Sequence, residues 1–289
     1  MIAVIGMKKK TVFILSTVLA LIVFALLVTI VIPKRKYSFP IDTDKLNIVI
    51  VGDSIFANGI DDVTLAECLT DELGCEMQNC AIGGSTATSL NNGHEPDYYI
   101  NQFCFSNIAD IMCSGKTYTV TDNPGVVAYT LDDAMVKTRF LAATDMSKSD
   151  YLIINYGIND GFNRIPASSD DKFDETTFSG TIRNGINEIV REYPDLKIIV
   201  CEVIYTNGVI RTKAKDIPFD GNVDSWCDNY NKELRTICSE YDNVEFFAIS
   251  DYFDINENTY EEYLADGLHF TGERKKEYAK YLADYIRSR

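Results

Sequence analysis

Five short, largely apolar runs, three of them rich in Val, Ile and Leu, recur at wide intervals along a chain of 289 residues: Leu46 to Val51, Glu76 to Ile82, Tyr151 to Tyr156, Ile198 to Val203 and Val244 to Ala248. Runs that are continuously apolar, rather than alternating, suit strands buried on both faces, the habit of parallel sheets. Between them lie segments with helical spacing: Val63 to Glu72, Leu131 to Ala143, Thr176 to Tyr193, Ser225 to Tyr241 and Gly272 to Arg287. This alternation predicts right-handed βαβ units and an α/β fold, an open doubly wound sheet of about five parallel strands with helices on both faces. Two stretches, roughly Ser85 to Pro124 and Tyr205 to Val223, exceed ordinary connection lengths and hold Gly, Pro, Asn and Thr. Long connections in such folds tend to shape sites.

The N-terminal part has a different character. From Thr11 to Ile32 run 22 residues without a charge, and a helix of that length spans roughly 33 Å, enough for a hydrocarbon core. Lys8, Lys9 and Lys10 precede it, Pro33 ends it, and Lys34, Arg35 and Lys36 follow. The flanking charges tie, so the positive-inside rule leaves orientation open. Met7 with its three lysines resembles the start of a signal sequence, but no small-residue cleavage site follows and the run is long for a signal peptide. The expected organisation is a basic tail over 1–10, a transmembrane signal-anchor over 11–33, a juxtamembrane linker over 34–44 and a flavodoxin-like α/β domain over 45–289. The domain is expected outside the cytoplasm, held at the cell membrane, or secreted if the helix is cleaved.

Charge excludes some partners. Residues 1–36 hold six bases and no acid, which leaves 21 bases against 43 acids from Tyr37 onward. Phosphate affinity rests on basic patches, so a nucleic-acid binder is disfavoured. No protein partner is indicated. The eight cysteines make an even count, compatible with disulfides outside the cell. There is no C-x-x-C and there are only two histidines, His94 and His269, so a zinc site has weak support. Cys227 and Cys238, eleven apart on one predicted helix, would stand about 16 Å apart along its axis, too far to bridge each other.

Chemistry collects where predicted strands end. The first strand runs into Gly52-Asp53-Ser54-Ile55, which lets the backbone turn sharply and present a hydroxyl, although it equally suits an ordinary turn or helix N-cap. The second ends in Asn79-Cys80-Ala81-Ile82-Gly83-Gly84-Ser85-Thr86, whose paired glycines can turn backbone N–H groups toward a ligand or simply form a turn. The third ends in Gly157-Ile158-Asn159-Asp160-Gly161, offering the Asn159 amide, or again a turn. Before the last helix stands Asp266-Gly267-Leu268-His269, where a carboxylate three residues upstream can orient an imidazole that serves as a neutral-pH base. His94, in a polar loop, reads as solvent-exposed.

In that order and spacing these four blocks resemble the SGNH or GDSL family of serine esterases, over about Lys45 to Arg289. The resemblance implies that Ser54 is the nucleophile, His269 the general base and then acid, and Asp266 the residue that fixes its tautomer. It also implies an oxyanion hole of the Ser54 backbone N–H, the Gly84 N–H and the Asn159 side-chain amide, with Gly83 as an alternative to Gly84. Asp53 and Asp160 are then loop-organising acceptors. No metal or nucleotide is needed. The reaction implied is acyl transfer to water through an acyl-serine, on an ester substrate. For an anchored extracytoplasmic domain the esters in view are acetyl groups on polysaccharide or cell-wall glycan, with Trp226, Tyr205 and Tyr252 as surfaces on which a sugar could stack. A lipase, lysophospholipase or thioesterase on longer acyl chains is the alternative within enzymes. Outside them stands a catalytically silent glycan-binding module, and an acyltransferase stays open.

Overall fold

The computed structural model describes residues 44–57, 63–89, 103–116, 128–207 and 223–289. All of these belong to the unit Ser38–Arg289. The uncharged run at 11–33, the tail, nearly all of the linker, and His94 lie outside them. No helix among the described residues is long and apolar enough to cross a membrane.

The five apolar runs form the five strands of one parallel sheet. They are β1 (Asn47–Gly52), β2 (Glu76–Asn79), β3 (Tyr151–Asn155), β4 (Lys197–Cys201) and β5 (Val244–Phe247), in the order β2-β1-β3-β4-β5. Every residue of β1 and β3 is buried, whereas the edge strands β2 and β5 are partly exposed. That is why the inner runs read as unbroken Val and Ile. β2 is shorter than its apolar run because pairing ends at Asn79. The chain beyond still leans on β1, with Cys80 N donating to Ile50 O at 2.8 Å and Ile82 N to Gly52 O at 2.8 Å.

From β1 the chain steps one way to β2, then crosses β1 to β3 and continues outward through β4 and β5. Right-handed crossovers in opposite directions place their helices on opposite faces. The helices are α1 (Ser54–Ala57), α2 (Leu65–Leu73), α3 (Phe105–Ser114), α4 (Ala128–Ala143), α5 (Ile158–Phe162), α6 (Phe178–Glu192), α7 (Val223–Cys238), α8 (Tyr260–Tyr263) and α9 (Gly272–Arg287). Their packing falls into two groups, α2 with α9, and α3 with α4 and α6 while α6 also meets α7. The reversal of strand order lies between β1 and β3, the place where open α/β sheets build sites. Ser54 and Asn159 stand there, just past the carboxyl ends of the two strands.

Local chemistry explains the boundaries of the long helices. Thr64 opens α2 with a capping box, its hydroxyl accepting from Glu67 N and the Glu67 carboxylate accepting from Thr64 N, and Gly74 closes it at φ +62°. Thr177 and Thr271 cap α6 and α9 through the amides of Gly180 and Arg274. Helix α3 lies inside the stretch expected to be a long connection. Its buried face, Phe105, Ile108, Ala109, Ile111, Met112 and Cys113, has helical spacing, but it is short and Cys104 before it makes no side-chain cap. All eight cysteines are buried and none is in a disulfide.

Candidate active site

Gly52 ends β1 against β3 so closely that a Cβ there would lie 2.5 Å from the Asn155 carbonyl oxygen. Only a residue without a side chain lets the two strands stay paired to their ends. The turn that follows is built by Asp53, whose Oδ1 accepts from Ile55 N at 3.0 Å and whose carbonyl accepts from Ala57 N at 3.1 Å. These bonds start α1 with Ser54 as its first residue.

Ser54 meets a turn that is 215 residues away in sequence. Leu264 and Phe270 form an antiparallel bridge, Ala265 N donates to His269 O at 2.8 Å, and Gly267 takes φ +75° at the tip. The Asp266 carboxylate sits inside this turn, its Oδ1 accepting from Leu268 N at 3.0 Å and His269 N at 2.7 Å. Its Oδ2 lies 2.8 Å from His269 Nδ1, and His269 Nε2 lies 2.9 Å from Ser54 Oγ. Burial alone would raise the Asp266 carboxyl, but the His269 amide and imidazole and the Leu268 amide outweigh it and hold it below the usual carboxylate range. The segment after β4 braces the turn, Asn207 N donating to Gly267 O at 2.7 Å.

The glycines of the second block form the adjoining loop. Gly84 takes φ +81°, a conformation strained for any residue with a Cβ, and it is flanked by fixed peptides. Ser85 Oγ donates to Gly52 O at 3.0 Å and Ile82 O at 2.7 Å, and Ser85 O accepts from Asn159 Nδ2 at 2.9 Å. An amide nitrogen carries two hydrogens, so Asn159 can hold Ser85 with one and present the other. Asp160, fully buried, accepts from Ala87 N at 2.8 Å and Thr88 N at 2.9 Å with its two oxygens. Burial pushes its carboxyl up to about 6 in spite of those bonds. Gly161, next in sequence, is pressed against the Trp226 ring, where an added Cβ would come within 2.4 Å of ring carbons.

The described structure thus brings Ser54, His269 and Asp266 into one hydrogen-bonded chain, and joins Asn159 and Asp160 to the loop of Gly83 and Gly84. Asp53 organises the turn at Ser54. The aromatic residues are placed less simply. Trp226 lies half-buried between Gly161, Phe162 and Tyr230, Tyr252 is exposed but stacked on Tyr281 at 4.2 Å, and Tyr205 is half-buried near Tyr260. The Asn207 amide is a part of the site that no motif marked, and Ser85 lay within the second block without an assigned role. Ser85 stands beside the glycines, but its two-way tie between β1 and Asn159 is legible only in space. No cluster of three or more His, Cys, Asp or Glu side chains suited to a metal occurs among the described residues.

A doubly wound parallel sheet, with a serine, histidine and carboxylate linked at the carboxyl ends of its strands, defines a serine hydrolase. The sequence profile of the GDSL-like lipase/acylhydrolase family matches residues 50–273, and the chain belongs to that family. It is accordingly an esterase of the serine hydrolase type. No curated protein matches it in sequence. Among solved structures, a protein from Lactobacillus plantarum is 15% identical with a TM-score of 0.58, over 84% of this chain and 97% of its own. A possible lipase from Chitinophaga pinensis is 16% identical with a TM-score of 0.51, over 84% and 98%. A family two carbohydrate esterase from Clostridium thermocellum, solved in complex with cellohexaose, is 18% identical with a TM-score of 0.50, over 86% of this chain and 65% of its own. At these identities the likeness is one of fold.

Proposed function

We propose that this chain is a membrane-anchored, extracytoplasmic serine esterase that removes short acyl groups, foremost acetyl, from carbohydrate or cell-wall glycan. The observation that carries the mechanism is the continuous pair of contacts Ser54 Oγ to His269 Nε2 at 2.9 Å and His269 Nδ1 to Asp266 Oδ2 at 2.8 Å. A serine hydroxyl is a poor nucleophile by itself and needs a base within hydrogen-bond reach. His269 Nε2 takes the proton as Ser54 Oγ attacks the ester carbonyl, while Asp266 accepts from Nδ1–H and stabilises the imidazolium. The developing oxyanion is held by the Ser54 and Gly84 amides and the Asn159 side chain, each such donor worth about 10²- to 10³-fold in turnover. Collapse returns the proton to the leaving alcohol and leaves an acyl-serine. Water, deprotonated by His269, then releases the acid.

The substrate assignment rests on three supports. The uncharged run at 11–33 is long enough to anchor the domain. The excess of acids from Tyr37 onward disfavours approach to anionic lipid surfaces. A carbohydrate esterase shares the fold. The test is hydrolysis of p-nitrophenyl esters from acetyl to palmitoyl, and of acetylated polysaccharide, by the detergent-solubilised full chain and its Ser54→Ala variant. Acetate-preferring turnover lost on substitution is expected. A long-chain optimum would move the assignment to lipid or thioester substrates, and Ser54-independent turnover would overturn the mechanism.

A further inference from the structure

The loop from Asn79 to Thr88 carries the two glycines, the part of the chain with least conformational restraint of its own. Its preorganisation must therefore come from the peptides on either side. Downstream, Ser85 O is held by Asn159, and the amides of Ala87 and Thr88 by Asp160. Upstream, Asn79 donates to Phe56 O at 2.9 Å and accepts from Ala81 N at 3.1 Å, and Ile82 N donates to Gly52 O at 2.8 Å. These ties all come from blocks already tied to the chemistry, whereas two others come from outside them; one is Phe105 N at the start of α3, shared between Thr86 O at 3.2 Å and Ala87 O at 3.1 Å, downstream of the glycines, and the other lies upstream. Lys137, in the middle of α4, reaches across 56 positions of sequence and donates from Nζ to Ala81 O at 2.7 Å.

Two features set this lysine apart. Its side chain is only 16% exposed, although the same helix leaves Val136 and Phe140 in solvent. An ammonium group is costly to bury unless it is paired, and Asp133, one turn earlier, pairs with it at 2.7 Å from a position that is 58% exposed. The lysine thus delivers a charge-assisted bond, stronger than a neutral one, to the carbonyl three residues before Gly84.

We propose that Lys137 is a positioning residue for the oxyanion loop: by fixing the Ala81 carbonyl it sets the direction of the peptides that end in the Gly84 N–H. The inference rests on the reading of Gly84 as an oxyanion donor. It acts on the transition state more than on the bound ester, so its removal lowers kcat and leaves KM nearly constant.

The test uses the full chain on p-nitrophenyl acetate, with Lys137→Met, Lys137→Arg, Asp133→Asn and Ser54→Ala, and active sites counted by a fluorophosphonate probe. Per titrated site, K137M is expected to lose about ten- to hundred-fold in kcat with KM within about two-fold. Affinity for a boronic acid, whose tetrahedral adduct carries the oxyanion, should fall by the same factor as kcat/KM. K137R, which keeps a charged donor, should restore most of the rate, and D133N, which removes the partner of the ammonium but not its bond to Ala81, should fall between the parent and K137M. If K137M is not recovered folded, Lys137→Gln, which shortens the stem, is read in the same way. A K137M or K137Q enzyme with parental kcat and boronate affinity, beside an inactive S54A, overturns this inference alone. Turnover surviving in S54A overturns both it and the reading of the site.

Discussion

Replacing Asp160 by Asn tests how the loops around Ser54 are held. The carboxyl is fully buried, and burial lifts its pKa to about 6 against the pull of the Ala87 and Thr88 amides. An unfolded aspartate ionises near about 3.9. Through the intervening range the native chain keeps a proton that the unfolded chain has released. The stability linked to this group is therefore full below about pH 4 and declines as the pH rises through about 6. A shift of about two units corresponds to a total decline of about 3 kcal/mol, roughly half of it between pH 5 and pH 8. That window avoids the acid range in which a chain so rich in carboxylates loses its charge.

The Asp160→Asn side chain keeps the shape, offers one acceptor in place of two, and does not ionise. At pH 5 the variant should be less stable than the parent by about 1 to 3 kcal/mol, since one buried amide loses its acceptor. By pH 8 that deficit should shrink by roughly 1 to 2 kcal/mol, because only the parent carries the cost of the buried charge. Urea unfolding of both proteins at several pH values and one ionic strength reads the difference directly. A deficit that is constant or grows with pH would refute the reasoning, for it would mean that the two amides outweigh burial and Asp160 ionises at or below the ordinary value.

Asp266→Asn places an amide N–H opposite His269 Nδ1, forcing the tautomer with hydrogen on Nε2. Turnover on an acetate ester should fall by about 10⁴-fold with the fold intact by circular dichroism, and a loss under ten-fold would rule out the orienting role. Gly161→Ala drives a Cβ to within 2.4 Å of the Trp226 ring and should cost about 1 to 3 kcal/mol of stability. Joined to Trp226→Leu the cost should be smaller than the sum of the single changes, and additive denaturation midpoints would argue against the contact. Gly52→Ala meets the backbone of β3 at 2.5 Å, which cannot swing aside as a ring can. Its stability loss, read in the same urea series, should equal or exceed that of Gly161→Ala.

The sheet was legible in the sequence because burial on both faces writes itself as unbroken Val and Ile, as in Ile48 to Val51 and Leu152 to Ile154. Order and spacing of Ser54, Asn159, Asp266 and His269 were legible for a different reason: each ends or precedes an element, where turn chemistry leaves few residue choices. Helix α3 was not, since its single apolar face sits between segments rich in Gly, Asn and Thr and lacks a cap at Cys104. Neither was Lys137, because a lysine in a helix is ordinarily a solvated residue, and here Val136 and Phe140 take the solvent side instead. The tie from Asn159 to Ser85 spans 74 positions, a relation that exists only once β1 and β3 are paired.

The eight buried thiols give the molecule an internal clock. Burial lifts Cys80, Cys113, Cys201 and Cys238 to about 12, so at neutral pH only about one in 10⁵ of each is thiolate, the form that reacts. They are spread from the β2 edge through α3 and β4 to α7. An alkylating reagent therefore has little to attack until the segment carrying a given cysteine opens. The order in which the cysteines become modified records the order in which parts of the sheet and its helices let go, with no label added to the chain.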